Sequence, residues 1–448
     1  MKVYFISLGC PRNLVDTEVM LGILLKAGYE ATTLIEEADY VIINTCGFLQ
    51  TSRDEALDTI DEVLHNRQTG TKVIVTGCMV QHHSKEILET FPDIDYLIGS
   101  GDVEHILAAV EATQPGAQIS DTRSYLEKGD IPRQVSTPSH FAYLKVAEGC
   151  RKRCSYCIIP HIKGPLKSKS ISQIKKEFRT LREQGAKEII LIAQDLGDWG
   201  KDLPKFKKEG LVQLLKELLK EPGGYWLRLM YVYPDEITDD LITLMKSDSR
   251  ICPYLDMPIQ HINNTILTAM HRRTSREQII SIITKLRKEI PQITLRTSLI
   301  VGFPGETDQQ FQELMTFLKE VQLDNVGVFE YSCEPGSAAA KLPHQISEKV
   351  KKQRYRRLMK LQQKIVAKNN AKLLGQELVA IVEGYHPDSP LLMQARYRGQ
   401  CPDIDGTIII NDTRNVTAFG QRYLVNITGV AGYDLVGTAL ANVNDSHA

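Results

Sequence analysis

The strongest constraint on the fold is a regular exchange between two hydrophobic periods. Apolar runs such as KVYFISLG, ADYVIINT and TKVIVTG are followed by stretches with apolar residues three and four apart, such as LVDTEVMLGILLKAGY and SRDEALDTIDEVLHN. The first pattern is that of a strand and the second that of an amphipathic helix. Strands separated by helices across short joints cannot pair as hairpins, so the pattern predicts a parallel sheet with helices on both faces. It continues through IDYLIG and VEHILAAVEA and defines an α/β domain over residues 1–115.

A polar, irregular linker over 116–139 follows, and then the alternation resumes. Its strands are FAYLKVA, KEIILIAQ, YWLRLMYV, CPYLDMPI, ITLRTSLIV and NVGVFEYS. Six βα units in roughly two hundred residues predict a partial (βα)6 barrel, because a full eight-unit barrel needs about 250 residues. A basic helix from Gln345 to Lys372, with ten Lys/Arg and one Glu, completes a region over 140–372. Over 373–440 the character changes to short β runs (ELVAIVEG, LLMQARYRG, GTIII, RYLVNITG, DLVGTAL) parted by Pro, Gly, Asp and Asn. That pattern fits a small five-stranded barrel of the OB type, with 441–448 as a tail.

Bulk properties narrow the class. A chain of 448 residues implies two to four domains at about 100–200 residues each. Apolar content of 42% and charged content of 24% are those of a globular protein. A net charge of −1 gives no overall sign of a polyanionic partner. No stretch reaches the roughly 18 apolar residues of a membrane span. The N-terminal apolar run, about five residues long, is too short for a signal peptide. Nine cysteines without an export signal point to a reducing, cytoplasmic setting, where thiols serve metals or catalysis.

Two groups of cysteines stand out. Cys150, Cys154 and Cys157 form a C-x₃-C-x₂-C run just after the first barrel strand, at the end where barrel active sites form. Three thiolates fill three corners of a cubane and leave its fourth iron free to chelate a small molecule. A structural zinc site wants four ligands, commonly on two CxxC arms, and the chain has no second CxxC. Ferredoxin-type carriers use a different spacing. Cys10, Cys46 and Cys78 each follow a strand of the first domain, in ISLGC, IINTC and IVTGC. In a parallel sheet these thiols share the carboxyl edge, where such sheets place ligands. Three ordinary buried cysteines are the plain alternative. Their recurrence at one edge favours a second three-thiolate cluster.

The x₃,x₂ triad after the first strand of a partial barrel resembles radical S-adenosylmethionine (SAM) enzymes. That resemblance implies a cluster whose unique iron binds the amino and carboxylate groups of SAM. It further implies reductive cleavage of SAM to methionine and a 5′-deoxyadenosyl radical. SLGCPRNLVDTE, NTCGF and VTGCM are similar to the N-terminal motifs of methylthiotransferases, as are DMPIQH, RTSLIVGFPGET and FEYSCEPGS. The likeness spans the whole chain, including a C-terminal TRAM domain. It implies two 4Fe–4S clusters, the second on Cys10, Cys46 and Cys78 and tied to sulfur delivery. It also implies SAM as both radical source and methyl donor. Some positions depart: IPHIKGPLKSK carries Lys163 and Lys169 where the family has arginines, keeping charge but losing a bidentate fork. AQDLGDWG stands where SQD is commoner.

Other residues carry weaker signals. Gln194 and Asp195 end the second barrel strand and are expected to contact SAM, with a helix-capping role for Asp195 as the alternative. Arg296 is expected in the barrel interior, either on the SAM carboxylate or in a structural salt bridge. Gly302 belongs to IVGFPGE, which resembles the family's SAM-adenine segment. Cys252, Cys333 and Cys401 read as incidental thiols and His261 as a core histidine. The basic helix reads as a packed face plus a solvated face, with contact to ribosomal RNA as the alternative.

The resemblance is strongest to the branch that modifies the β-carbon of an aspartate on ribosomal protein S-12 of the small subunit, because SLGCPRN lacks the polar Gln-Met-Asn of the tRNA branch. Independently, seven acids against four bases over Gln376–Leu440 suit a basic protein partner better than RNA. The implied partners are that protein or the small subunit, a low-potential electron donor and a sulfur donor. The alternatives are a tRNA adenosine methylthiotransferase and, in another class, a non-catalytic Fe–S protein that binds ribosomes or RNA. Reductive SAM cleavage separates the last from the first two.

Overall fold

A computed structural model describes residues 1–120, 125–126, 131–206 and 210–443. The linker expected at 116–139 and the tail at 441–448 lie partly outside the described residues.

The N-terminal strands β1 (Lys2–Ser7), β2 (Glu30–Ala31), β3 (Tyr40–Thr45), β4 (Lys72–Gly77), β5 (Tyr96–Gly99) and β6 (Gly116–Gln118) form one sheet in the order β2-β1-β3-β4-β5-β6. All neighbours are parallel. Strand β3 is buried along its whole length, which explains an unbroken apolar run instead of alternation. Ile42, Ile74 and Ile98 face Val19, Met20 and Leu24 of helix α1 (Pro11–Lys26). Val41, Ile43, Val73 and Val75 face Ala56, Ile60 and Val63 of α2 (Gln50–Asn66). The order reverses between β1 and β3, the switch point where such sheets bind ligands. Helix α3 (Cys78–Thr90) follows β4 directly. Strand β6 lies in the segment expected as linker. Its sequence, GAQ, has no strand signal of its own, and pairing to the edge of β5 makes it a strand.

The central region starts with β7 (Phe141–Lys145). A short antiparallel pair, β8 (Ala147–Glu148) and β9 (Lys167–Ser168), then closes the base of the cysteine loop. Strands β10 (Glu188–Ile192), β11 (Trp226–Leu229), β12 (Ile251–Asp256), β13 (Thr294–Val301) and β14 (Asn325–Glu330) follow β7 in simple sequence order, all parallel. Six sequential βα units give the partial barrel. Leu144, Ile189, Leu191, Leu227 and Leu295 point outward into the main core beneath the helices. The alternate residues Phe141, Tyr143, Ile190, Trp226 and Tyr254 form the inner wall.

Strands β15 (Glu377–His386), β16 (Ser389–Tyr397), β17 (Ile408–Asp412), β18 (Gln421–Ala431) and β19 (Asp434–Asn442) close into a barrel in the order β15-β16-β17-β19-β18. This small barrel packs against the inner wall, where Ile381 and Cys401 join Tyr143, Trp226, Met230 and Tyr254. Buried charges fix the contact. Arg396 reaches Glu188 at 3.0 Å and Glu383 at 2.8 Å, and Glu188 also holds Arg228 at 2.5 Å. Tyr143 Oη donates to Asp403 at 3.1 Å and Tyr254 Oη to Asp405 at 2.8 Å. No helix among the described residues is long and apolar enough to cross a membrane.

Candidate active site between the two cysteine triads

Cys150, Cys154 and Cys157 lie on the loop between β8 and the helix Ile159–Lys163, at the carboxyl end of the barrel strands. The loop is held from several sides. Ser155 N donates to Met270 O at 3.1 Å, its Oγ to Ala269 O at 2.7 Å, and Ala339 N donates to Ser155 O at 2.7 Å. Backbone N–H groups point at sulfur: Lys152 N lies 3.4 Å from Cys150 Sγ, and Ile159 N lies 3.4 Å from Cys157 Sγ. Such donors stabilise anionic sulfur. Cys154 is buried against the Tyr233 hydroxyl at 3.6 Å and the Arg272 guanidinium at 3.9 Å, and that guanidinium stacks 4.0 Å from the centre of the Tyr233 ring. Burial pushes the Cys150 and Cys157 thiols up to about 12, partly offset by those N–H groups. Without iron both carry protons at neutral pH, so metal binding must release them.

The second triad sits at the switch point. Cys10 is the N-cap of α1 and Cys78 the first residue of α3, so two helix N-termini point positive ends at this edge. Cys46 follows β3, between the strands preceding the other two. Asn13 ties the three turns together. Its Nδ2 donates to Leu8 O at 3.2 Å and Thr45 O at 3.0 Å, and its Oδ1 lies 3.5 Å from Cys78 Sγ. Gly9 has a φ of +90°, and a Cβ there would lie 2.7 Å from Cys46 Cβ, so only glycine lets the two turns meet. Burial raises the thiols of Cys46 and Cys78, the latter to about 12. At Cys10 burial also pushes upward, but the Arg12 guanidinium and the backbone N–H groups of Asn13 and Arg12 overcome it and leave the thiol below its usual value.

The N-terminal sheet docks its cysteine edge on the mouth of the partial barrel, so the two triads face each other. Arg12 spans the gap: it donates to Ala193 O, just past β10, at 3.0 Å and lies 4.9 Å from the centre of the Tyr231 ring. Its charge acts on Cys10 and Cys78 on one side and on Cys157 on the other. Cys78 packs with Ile158 and Ile162, which follow Cys157. A buried charge cluster seals the joint. Asp16 of α1 meets Lys145 and, at 3.4 Å, Lys163, and Lys163 meets Glu148 at 2.6 Å. The substituted Lys163 therefore balances two buried acids beside Cys78. At the far side Arg53 of α2 binds Glu334 at 2.5 Å, both side chains buried. Sequence reading missed Arg12, Arg53, Tyr231 and Arg272, because each acts across a domain boundary or between distant loops. Only the position of Arg12, two residues after a cysteine at a strand end, carried a local signal.

The remaining candidates divide. Gln194 lies at the rim with its Oε1 buried and, among the described residues, without a hydrogen-bond partner. Asp195 caps the next turn by accepting from Gly197 N at 3.1 Å, and its Oδ2, 3.5 Å from Lys152, has no hydrogen bond. Burial pushes its carboxyl up to about 7, against the pull of Lys152. Arg296 is bound by Asp256 at 2.9 Å and Asp405 at 3.8 Å, so its charge is met from within the protein, as in the salt-bridge alternative. Gly302 lies against Lys351, where a Cβ would collide with the lysine stem, so its spatial role is to seat the long basic helix. His261 is fully buried near Glu306, Cys252 and Cys401 are buried, and Cys333 is exposed.

Among the described residues, one group of three candidate metal ligands shares a span of 4.8 Å, namely Asp195, Asp198 and Glu236. Lys152 and Lys201 pair with it and offset part of its charge. Two sets of three thiols, aided by N–H donors and helix N-termini, are a donor set that fits iron–sulfur clusters with an open corner.

Comparison with known proteins agrees with this geometry. Residues 2–99 match a family described as uncharacterized protein family UPF0004, 144–318 the radical SAM superfamily and 374–440 the TRAM domain. Among solved structures, a radical SAM methyltransferase from Kitasatospora setae, TsrM, aligns with a TM-score of 0.55 at 15% identity, covering 73% of this chain and 74% of its own, which is a likeness of fold. The fold and the barrel-mouth cysteines therefore define a radical SAM enzyme, whose cofactors are 4Fe–4S clusters and SAM. Two curated relatives narrow the class. The ribosomal protein uS12 methylthiotransferase RimO of Protochlamydia amoebophila is 64% identical over 97% of this chain and 92% of its own, and that of Chlamydia abortus is 56% identical over 99% and 96%. The chain belongs to the methylthiotransferase family and is a transferase.

Proposed function

We propose that this enzyme replaces a C–H bond at the β-carbon of an aspartate in ribosomal protein uS12 by C–S–CH₃, in the cytoplasm. The observation that carries the reading is the meeting of the two cysteine triads across Arg12. One domain offers Cys150, Cys154 and Cys157 at the barrel mouth, and the other offers Cys10, Cys46 and Cys78 against it. When bound there, the clusters would relay an electron from the donor, and SAM would supply the radical and the methyl group. The protein residues bind and orient. Gln194 Oε1 and Asp195 Oδ2, buried without hydrogen bonds, suit the ammonium group of SAM. Arg12 holds positive charge beside the Cys10 and Cys78 thiols, where a sulfur-delivering cluster would be anionic, and its anchors on Ala193 and Tyr231 keep it there. Aromatic and apolar packing around Cys78 and Cys154 keeps bulk water off the reacting groups. A low-potential electron donor and a sulfur donor complete the system.

The relatives' names supply the substrate, and charge in the small barrel supports it. Glu383 is held by Arg396 and Asp405 by Arg296 and Tyr254, and Arg396 and Arg422 are themselves buried, which leaves five acids against two bases nearer the surface. Complementary charge steers a basic ribosomal protein to such a surface. The test is mass spectrometry of uS12 and of tRNA after incubation with reconstituted enzyme, SAM, sulfide and reductant. The expected result is a gain of one SCH₂ on a uS12 aspartate. Product on tRNA with none on uS12, free or assembled, would overturn the reading.

A further inference from the structure

The long helix Glu348–Ala371 carries a device that the catalytic site does not use. Its inner side is packed: Leu358 and Ile365 join the main core, and Gln362 Nε2 donates to Leu323 O at 3.1 Å. Its outer side carries Lys352, Arg356, Lys360, Lys364 and Lys368, all exposed and each four residues from the next. Among the described residues none of the five has a carboxylate within 4.0 Å, and Lys349 extends the row with none either. Like charges at this spacing repel and destabilise a helix. A face that only needed solvation would intersperse Glu, as surface helices do. Here one acid, Glu348, stands at the N-terminus and pairs with the inward Lys351.

The row is also placed to act. At its start Lys351 Nζ donates to Tyr331 O at 2.8 Å, past the carboxyl end of β14, so the helix begins at the catalytic rim. At its end Asn370 donates to Tyr433 O at 3.1 Å, on the small barrel. Successive cations rise by about 6 Å along the axis, comparable to the step between phosphates on a nucleic-acid strand. Beside the lower cations lies a groove of about 630 Å³ between the helix and the β18–β19 hairpin, lined by Lys360, Lys364, Ala367, Thr428, Gly429 and Gly432. Its glycines leave backbone accessible, so its basic wall can take a polyphosphate chain.

We propose that this face binds the phosphate backbone of RNA, and that it seats the enzyme on the RNA of the small ribosomal subunit while the acidic barrel meets the protein substrate. The identity of the RNA rests on the uS12 reading; binding of RNA phosphate does not. The row of cations supplies a sequence-independent, salt-sensitive grip.

The experiment uses the full-length, cluster-loaded enzyme and its Lys352→Gln/Arg356→Gln/Lys360→Gln/Lys364→Gln variant. All four positions are exposed, and thermal stability and iron content serve as folding checks. Fluorescence anisotropy with naked small-subunit ribosomal RNA is read at several salt concentrations, and turnover is read on free uS12 and on assembled subunits. The variant should lose about three units from the slope of log affinity against log salt, since each lost phosphate contact removes about 0.7–0.9. Its turnover on assembled subunits should fall at least tenfold, and that on free uS12 should stay within twofold. Wild-type RNA affinity and slope in the variant would overturn the proposal, as would loss of turnover on free uS12 with RNA binding intact, which would mark a protein-docking face. Turnover by the parent enzyme on neither form of uS12 would instead sink the substrate reading, with the anisotropy arm still deciding this one.

Discussion

Gly9→Ala tests the geometry of the N-terminal triad with one methyl group. At a φ of +90° any L-residue is strained, by roughly 1–3 kcal/mol. The new Cβ would stand 2.7 Å from Cys46 Cβ, where ordinary contact begins at 3.4 Å. Cys46 would have to recede by about 0.7 Å, the difference of those distances, while metal–ligand distances hold to about 0.2 Å. Crowding of this kind costs about another 1–3 kcal/mol. The expected outcome is selective. Iron after anaerobic reconstitution should fall from about eight to about four per chain, as one of two cubanes is lost. Reductive SAM cleavage at Cys150, Cys154 and Cys157 should stay within about twofold, and methylthiolated product should fall at least a hundredfold, about 2.7 kcal/mol. Gly28→Ala is the control: φ is +93°, but nothing lies within 4 Å of the added Cβ. It should lower stability through strain alone and keep all the iron. Full iron and wild-type turnover in Gly9→Ala would refute the packing argument, and equal iron loss in both variants would show that strain, not contact with Cys46, is responsible.

Further outcomes follow from the same geometry. In iron-free protein, Cys10 should alkylate faster than Cys78, Cys150 and Cys157 at pH 7–8, because its thiol lies below the usual value and theirs are pushed up to about 12. Arg12→Gln should slow Cys10 selectively, and peptide mapping of a timed iodoacetamide reaction reads both. Arg53→Ala leaves Glu334 buried without its partner and should weaken docking of the N-terminal domain by about 3–5 kcal/mol, whereas Arg53→Met with Glu334→Gln should nearly restore it. Limited proteolysis between the domains distinguishes the two. Burial would raise the Glu383 carboxyl, but His140 and Arg396 hold it down at about 2 against an ordinary 4.5. A depressed acid stabilises the fold fully above its unfolded value and loses that stability as pH falls from about 4.5 to 2. The full amount is about 3 kcal/mol. Glu383→Gln should therefore flatten acid unfolding of the iron-free protein in that window, and an unchanged acid limb would count against the contact.

The sequence disclosed elements where one local rule decides. Buried parallel strands read as apolar runs, and each N-terminal cysteine stood one to three residues past such a run, so the shared edge could be inferred from Cys10, Cys46 and Cys78 alone. The five strands of the small barrel were legible through their Gly, Asp and Asn punctuation. What escaped depends on distant partners. Strand β6 exists only as an edge pairing of GAQ, and β8–β9 are two-residue elements defined by each other. Arg296 could be placed on the inner wall, but its partner Asp405 arrives from more than a hundred residues downstream. The place of Arg12, two residues after a strand-end cysteine, marked it only as near the site; its partners Ala193 and Tyr231 across the domain boundary had no local signal.

The docking of the small barrel also has a place in time. Phe141, Tyr143, Trp226 and Tyr254 are synthesised long before Ile381, Cys401 and Asp405, which cover them. During translation the (βα)6 region therefore stands with an aromatic wall open to water until the small-barrel segment leaves the exit tunnel. An exposed apolar surface of that kind is what chaperones hold and what aggregates grow from. A chain stopped at the end of the long basic helix would keep all six cluster-facing cysteines yet lack the cover for that wall, so the small barrel acts as a plug on the catalytic domain.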